Sequence, residues 1–311
     1  MWDVVKLIRK NYQLVALGGV EWIACPAFSR IPWILQAFSL RRGGVCRAPA
    51  AGLNLGFTPQ AKRTEVEENR RRFFSHLGAE RFSLASLRQT HSSSVYLAAR
   101  DAFGNVEYRL AGSQASSAPL PEGDALLTHQ PGLLLSVRTA DCLPVLLVDR
   151  RRRAVAAVHA GWRGALARIV EKAVGEMRRL FGSQPEDLLA VLGPSIRVCC
   201  YEVGQEVVDA FGGRFAHGEK FFRRDIATGS HARAAAASLS VYPPGHAPAA
   251  APVARLDLVA VAEEQLFCAG IHAANIQPLP FCTACRTDLF FSHRKEGSLT
   301  GRMMAVIGIR P

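Results

Sequence analysis

The strongest constraint in the chain is a pair of uninterrupted apolar runs, residues 145–148 and 154–158, joined by the basic turn Arg150-Arg151-Arg152-Arg153. Short apolar runs bounded by a charged turn read as strand, turn, strand. The chain would then return on itself and set Cys142, just before the first run, beside His159, at the end of the second. A third segment, Arg88-Gln89-Thr90-His91, leaves another histidine between strand-like stretches at 83–87 and 94–98. Two imidazoles and a thiolate make a three-ligand zinc set with a fourth position open to water or substrate. The same groups also make a Cys-His nucleophile pair. Both chemistries stay open at this point.

The surroundings of these residues favour a site over plain core. Asp141, beside Cys142, would be costly to bury without a partner, and Pro144 fixes a bend at a strand start. After His159 the apolar positions Leu166, Ile169, Val170, Ala173, Val174, Met177, Leu180 and Phe181 recur every three or four residues, an amphipathic helix ended by Gly182. A helix start directly after His159 would offer free amides and a positive dipole end to an anion. Gly161 and Gly164 would let backbone approach such a ligand closely.

Composition narrows the class. With 49% hydrophobic residues in a 311-residue chain, a large core is available, yet no stretch approaches the roughly 18 apolar residues of a membrane span. The N-terminus lacks the basic, apolar, small order of a secretory signal, so the expected location is the cytoplasm. A chain this long does not need its 8 cysteines as disulfides. Cys199-Cys200 are adjacent, and Cys282-Thr283-Ala284-Cys285 is a lone CxxC lacking the second half of a structural zinc site, so it reads as a pair of buried or half-buried thiols. The net charge of +12 comes without a zinc-finger pair, an aromatic RNA-binding motif or a long basic helix. We expect no specific nucleic acid and no membrane partner, but a positive field suited to anionic small molecules.

Along the chain, residues 1–30 read as an N-terminal extension and 31–311 as one α+β domain, with an Ala/Pro-rich surface insert at 232–252. A helix is expected from Thr64, with Glu67 completing a capping box. Its apolar stripe is Val66, Phe73, Phe74 and Leu77, with Asn69 and Arg70 on another face. Further strands are expected at 34–38, 132–137 and 303–309, and helices at 207–211 and 256–269.

Taken in order, Gln89-Thr90-His91, residues 139–144 and 159–164, Gly193-Pro194-Ser195-Ile196, residues 201–204, Phe290-Phe291-Ser292-His293-Arg294 and Thr300-Gly301-Arg302-Met303 resemble the laccase-domain (YfiH-like) family. This group was once labelled multicopper polyphenol oxidase and is now regarded as purine nucleoside phosphorylases. Arg41, Gly43-Gly44-Val45, residues 53–56 and Asn69-Arg70 fit the N-terminal part of the pattern, which spans about 38–309 with the insert outside it. The resemblance implies a single α+β domain with mixed β-sheets packed against helices, and a catalytic zinc on His91, Cys142 and His159. It also implies cleavage of adenosine, inosine, guanosine and methylthioadenosine with phosphate, together with adenosine deamination. Asn54 and Arg70 match positions that line the nucleoside and phosphate site. Arg41 and Gln89 are expected to join them as substrate contacts, and Asp141 to orient a ligand or carry a proton to the leaving base. Leu40 and Cys46 depart from the pattern, standing where small hydroxyl residues are usual.

Three other readings compete. A copper polyphenol oxidase would share the ligand types, but multicopper oxidation needs further histidine-rich sites, and the 9 histidines include no His-x-His pair. Zinc is therefore expected ahead of copper. A metal-free Cys-His hydrolase editing peptidoglycan precursors would survive chelation. A nucleotide-binding regulatory protein would bind purines without turnover. The sequence leaves the oligomeric state open.

Overall fold

Two mixed sheets face each other, and helices cover both outer surfaces. The computed structural model describes residues 5–8, 11–110, 115–116, 120–225 and 253–311; the insert expected at 232–252 lies outside the described residues. The first sheet runs Val5–Ile8, Gln13–Leu17, Val20–Ala24, Ile34–Ser39, Met303–Ile309, Leu133–Thr139, Ser83–Ala85. The second runs Ile276–Pro278, Leu188–Leu192, Leu143–Asp149, Ala154–Ala160, Ala125–Thr128, Val95–Arg100, Val106–Leu110, Ala115–Ser116. Most neighbours are antiparallel, but Leu133–Thr139 pairs parallel with Ser83–Ala85, Val95–Arg100 with Ala125–Thr128, and Leu188–Leu192 with Ile276–Pro278. A small third sheet joins Glu202–Val203, Val253–Leu256 and Phe222–Asp225.

The continuous apolar runs are explained by burial on both faces. Successive strand residues point to opposite sides. Leu143, Val145 and Leu147 pack with Ile169, Val170, Ala173, Val174 and Met177 of the helix Ile169–Phe181. Leu146 and Val148 pack instead with Phe38, Val137 and Ile307 of the other sheet. Each such side chain contributes roughly 1.5–3 kcal/mol when fully buried, so an Asp at Val145 would break the sheet–helix contact outright. The strand Met303–Ile309, buried at every position, lies between Ile34–Ser39 and Leu133–Thr139 for the same reason.

Three local expectations are corrected. The amphipathic stretch after His159 is two helices, Trp162–Leu166 and Ile169–Phe181, with Arg168 between them in the left-handed region at φ 60°. Buried Gln265 stabilises the break: its Nε2 donates to Ala165 O at 2.7 Å and its Oε1 accepts from Val170 N at 3.2 Å, so both cut helix ends are satisfied. The helix expected from Thr64 spans Arg63–Leu77, and no side-chain cap holds its first turn; Glu67 pairs with Arg63 at 2.8 Å instead. Asn69 belongs to the buried face with Val66 and Phe73, at the three- and four-residue spacing that places them together. Its Oδ1 accepts from Val45 N at 2.7 Å, and its Nδ2 donates to Gly52 O at 2.9 Å and Asn54 O at 3.0 Å.

Residues set apart as an extension carry sheet structure. Gln13–Leu17 and Val20–Ala24 form a hairpin, and Trp22 and Ile23 pair with Ser39 and Phe38. The two later helices run Gln205–Arg214 and Leu258–Cys268, the second capped by Asp257, which accepts from Val259 N and Ala260 N. No helix among the described residues is long and apolar enough to cross a membrane.

Candidate active site

The register of the central hairpin builds half of the site. Leu143 lies opposite Ala160 and Pro144 opposite His159, so Cys142, one residue before the pairing begins, sits at the same sheet end as His159. His91 arrives from the loop between Ser83–Ala85 and Val95–Arg100. Both His91 (φ 60°) and Asp141 (φ 88°) occupy the left-handed region. Each costs about 1 kcal/mol or more for a non-glycine residue and persists only where its surroundings hold it.

Two carboxylates do the holding. Asp124, fully buried, accepts from Thr90 N at 3.3 Å, His91 N at 3.1 Å, Ser92 N at 2.6 Å and Ser92 Oγ at 2.7 Å, which wraps the His91 loop around one side chain. The same carboxylate accepts from His159 Nδ1 at 2.8 Å, while the Asp124 carbonyl accepts from His159 N at 2.7 Å. Asp141 accepts from Thr283 Oγ1 and Arg294 N, both at 2.6 Å, and its carbonyl accepts from Ile196 N at 2.8 Å.

His91, Cys142 and His159 thereby converge, with one ligand atom from each within 4.8 Å of the others. Cys142 Sγ lies 3.6 Å from His91 Nε2. Zinc bonds of about 2.3 Å to sulphur and about 2.0–2.1 Å to imidazole nitrogen, at a tetrahedral angle, need a separation of roughly 3.5 Å. Because Nδ1 of His159 is engaged by Asp124, its Nε2 is the free donor, in the carboxylate–histidine–metal arrangement that fixes ring orientation. The residues present therefore fit a divalent metal. Gly161 is required beside them: a Cβ there would lie 2.6 Å from His91 Cδ2 and 3.1 Å from Cys142 Sγ. Burial opposes ionisation of Cys142, but the neighbouring His159 charge and the hydrogen bonds from both imidazoles outweigh it and pull the thiol down to about 6. Burial likewise opposes charge on His159, and Cys142 and Asp124 overcome it and pull that imidazole up to about 9.

His91, Cys142 and His159 lie on the wall of a cavity of about 550 Å³. Gln89 and Asp141 also line it, as do Arg138 and Arg302, which the sequence reading did not single out. Gln89 acts on Arg138: its Nε2 donates to Arg138 O at 2.8 Å and its Oε1 accepts from Arg138 N at 2.9 Å. Arg138 and Arg302 have no carboxylate partner among the described residues. Burial, then the like charge of Arg302, holds Arg138 below its ordinary pKa.

Three predicted substrate residues stand outside the cavity lining. Fully buried Asn54 accepts from Gly56 N at 3.0 Å and from Arg302 N at 2.9 Å. Arg70 donates to Leu55 O at 2.9 Å and stacks over Phe57, a cavity residue, at 4.3 Å. Burial, then the charge of Arg138, lowers Arg70 to about 10. Arg41 is tied to Glu296 at 2.9 Å and to Thr287 O at 2.6 Å. The helix after His159, expected to seat an anion, has only five residues. Other arginines are spent on ion pairs: Arg71 and Arg72 pair with Glu68, Arg151 with Asp187 and Arg179 with Glu176. Asp124 was also missed. Its one signal is a carboxylate set directly before the apolar residues 125–127.

Comparison with known proteins agrees with this architecture. The family described as multi-copper polyphenol oxidoreductase laccase matches residues 35–310. The purine nucleoside phosphorylase YlmD of Geobacillus stearothermophilus is 30% identical over 93% of this chain and 94% of its own length. Adenosine deaminase RL5, from an unknown prokaryotic organism, is 34% identical over 86% of this chain and 91% of its own. Among solved structures, YfiH of Bacillus licheniformis superposes with a TM-score of 0.75 at 28% identity, covering 94% of this chain and 97% of that one. With a hairpin-built His-Cys-His cluster on two facing mixed sheets, and a match over nearly its whole length, this chain belongs to the multi-copper polyphenol oxidoreductase laccase family.

Proposed function

We propose that the protein is a zinc-dependent purine nucleoside phosphorylase that cleaves adenosine, inosine, guanosine and methylthioadenosine with phosphate and also deaminates adenosine. The observation that carries this reading is the placement of His91, Cys142 and His159 on one wall of a cavity that also presents four arginines, Arg138, Arg163, Arg294 and Arg302, without carboxylate ion pairs among the described residues. Its volume lies within the range of about 300–1,000 Å³ usual for small-molecule sites. Relatives named for phosphorolysis and for deamination, both aligned across most of this chain, support the two activities.

His91, Cys142 and His159 would hold the metal. Zinc, when bound, supplies the Lewis-acid activation of water that an aminohydrolase needs near neutral pH. Arg138 and Arg302 hold phosphate by charge-assisted hydrogen bonds, so that one of its oxygens bonds to C1′ as the bond from C1′ to the base breaks. Gln89 fixes the backbone of Arg138, and Asn54 fixes that of Arg302. Arg70 supports the wall at Phe57, and Arg41, through Glu296, fastens the segment carrying His293 and Arg294. Asp141, whose oxygens are taken by Thr283 and Arg294, holds the Cys142 turn. Zinc is preferred to copper because the described residues offer no second imidazole cluster for multicopper chemistry. We place the protein in the cytoplasm, where purine nucleosides and phosphate are both at hand.

A second reading has a specific observation behind it. Cys142, His159 and Asp124 also form a nucleophile, a base and an orienting carboxylate in sequence, the arrangement of a Cys-His hydrolase acting on peptidoglycan precursors. Product analysis of inosine turnover decides between them. Phosphate-dependent release of hypoxanthine with ribose 1-phosphate supports the proposal; no base release with or without phosphate overturns it.

A further inference from the structure

Outside the cavity, a second cluster draws together cysteines that are far apart in sequence. Cys199 and Cys200 lie in the loop after Leu188–Leu192, and Cys282 and Cys285 form the CxxC, with Cys285 placed 85 positions after Cys200. The missing half of that motif is the adjacent pair, brought to it by the fold. The expected pair of buried or half-buried thiols is thus a group of four, with Cys282 buried, Cys200 half-buried and Cys199 and Cys285 exposed. All four sulphurs lie within 4.8 Å of one another. Cys285 Sγ is 3.3 Å from Cys200 Sγ and 3.6 Å from Cys199 Sγ.

We propose that Cys199, Cys200, Cys282 and Cys285 form a second, structural zinc site. Tetrahedral zinc–sulphur bonds of about 2.3 Å place sulphurs roughly 3.8 Å apart, close to the separations found here. A disulfide would need Cys285 to choose one neighbour, yet two sulphurs approach it almost equally. The loops that carry the cysteines are already joined. Ser195 bridges to Cys282, Thr283 N donates to Ser195 O at 3.0 Å, and Cys200 N and Tyr201 N both donate to Arg197 O. Backbone N–H groups of Arg197 and Cys285 are directed at the Cys282 sulphur, and the Arg197 guanidinium lies near Cys282 and Cys199 as a countercharge. Such N–H donors and nearby positive charge offset the negative charge that four thiolates bring to a divalent ion.

Four thiolates leave no open position, so this site is structural where the His91 site is not. Its place in the fold gives it a task. Thr283, between the two cysteines of the CxxC, donates to Asp141, the residue before Cys142. Tyr201, directly after Cys200, lines the cavity. The metal would clip the two loops that form this wall.

The inference does not depend on which reaction the cavity performs, and the test separates the two sites. Zinc per chain is measured on full-length protein purified in zinc-containing medium, alongside Cys142→Ala and the double variant C282S/C285S. Zinc at two per chain, falling to one in each variant, is the expected result. Cobalt substitution of Cys142→Ala gives a second readout that needs no change in the cluster, because four thiolates give far stronger sulphur-to-cobalt absorption than any site lacking them. That absorption should persist in Cys142→Ala. Its absence there, an equal zinc content in C282S/C285S and the unmodified protein, or a mass two hydrogens low with two fewer titratable thiols would each overturn the proposal.

Discussion

His159 Nδ1 lies 2.8 Å from Asp124 Oδ1, and the same carboxylate gathers the backbone of Thr90, His91 and Ser92. One side chain therefore sets two metal-ligand candidates, one on an interior strand and the other in a loop. Asp124→Asn keeps the shape but removes the charge, and metal affinity should fall about 10- to 100-fold, as for other carboxylates behind a ligand histidine. Isothermal titration of metal into the stripped variant measures this. An unchanged affinity would reduce Asp124 to a loop anchor.

The same residue predicts a pH dependence. Burial opposes the Asp124 charge, but His159 and Ser92 outweigh it and hold the carboxyl below its ordinary value of 3.8. A depressed folded pKa means that the stabilisation is complete above the ordinary carboxylate range and is lost as pH falls through the folded value. Asp124→Asn should cost on the order of 3 kcal/mol near neutral pH, as for other broken buried pairs. That gap should narrow below about pH 4. Urea unfolding of both proteins from pH 3 to pH 7 checks the trend; a gap constant across that span contradicts it.

The two proposed activities should separate at the arginines. In the proposed reaction phosphate is held by the Arg138 guanidinium, whereas attack of water at C6 of adenosine does not draw on it. Arg138→Gln should lower adenosine phosphorolysis about 10- to 100-fold, the worth of a charge-assisted contact, and keep conversion to inosine. Arg70→Gln should do less, because Arg70 reaches the cavity only through Phe57. Chromatography of products with and without phosphate reads both. Parallel loss of the two activities in a folded, metal-loaded Arg138→Gln would mean that it positions the whole nucleoside.

Asn69→Ala tests the buried polar anchor of the Gly43-Gly44 turn. It removes the side-chain partner of Val45 N, Gly52 O and Asn54 O, of which Asn54 is buried and the other two half-buried, while Gly52 O still accepts from Asn54 N at 2.9 Å. Stability should fall by roughly 1–3 kcal/mol, the cost of leaving a backbone group without its partner. Thermal unfolding checks it. An unchanged melting temperature would show that the turn is held without this side chain.

Much of this architecture could be read from the chain, and what could not has a common cause. The central hairpin was legible because residues 145–148 and 154–158 are buried on both faces, which leaves an unbroken apolar signature around Cys142 and His159. Gly182 marked its helix end because the left-handed conformation there favours glycine. The break at Arg168 was hidden because Gln265, which satisfies both cut ends, lies 95 residues from Val170. Asn69 was placed off the apolar face because polarity alone says nothing of the three backbone partners that the fold brings to it. Arg138 and Arg302 carried no signal of a shared role, because only the fold brings residues so far apart in sequence to one cavity. In each miss the deciding partner is distant in sequence.

The most direct test of the central claim couples metal content to turnover in one preparation. Zinc per chain and inosine phosphorolysis are measured together as a chelator strips the protein and zinc is added back, with His159→Ala carried alongside. Activity should fall and return in proportion to zinc bound at His91, Cys142 and His159, and His159→Ala should recover neither that zinc nor the activity. Full phosphorolysis by the zinc-free protein, or by His159→Ala, would contradict the account.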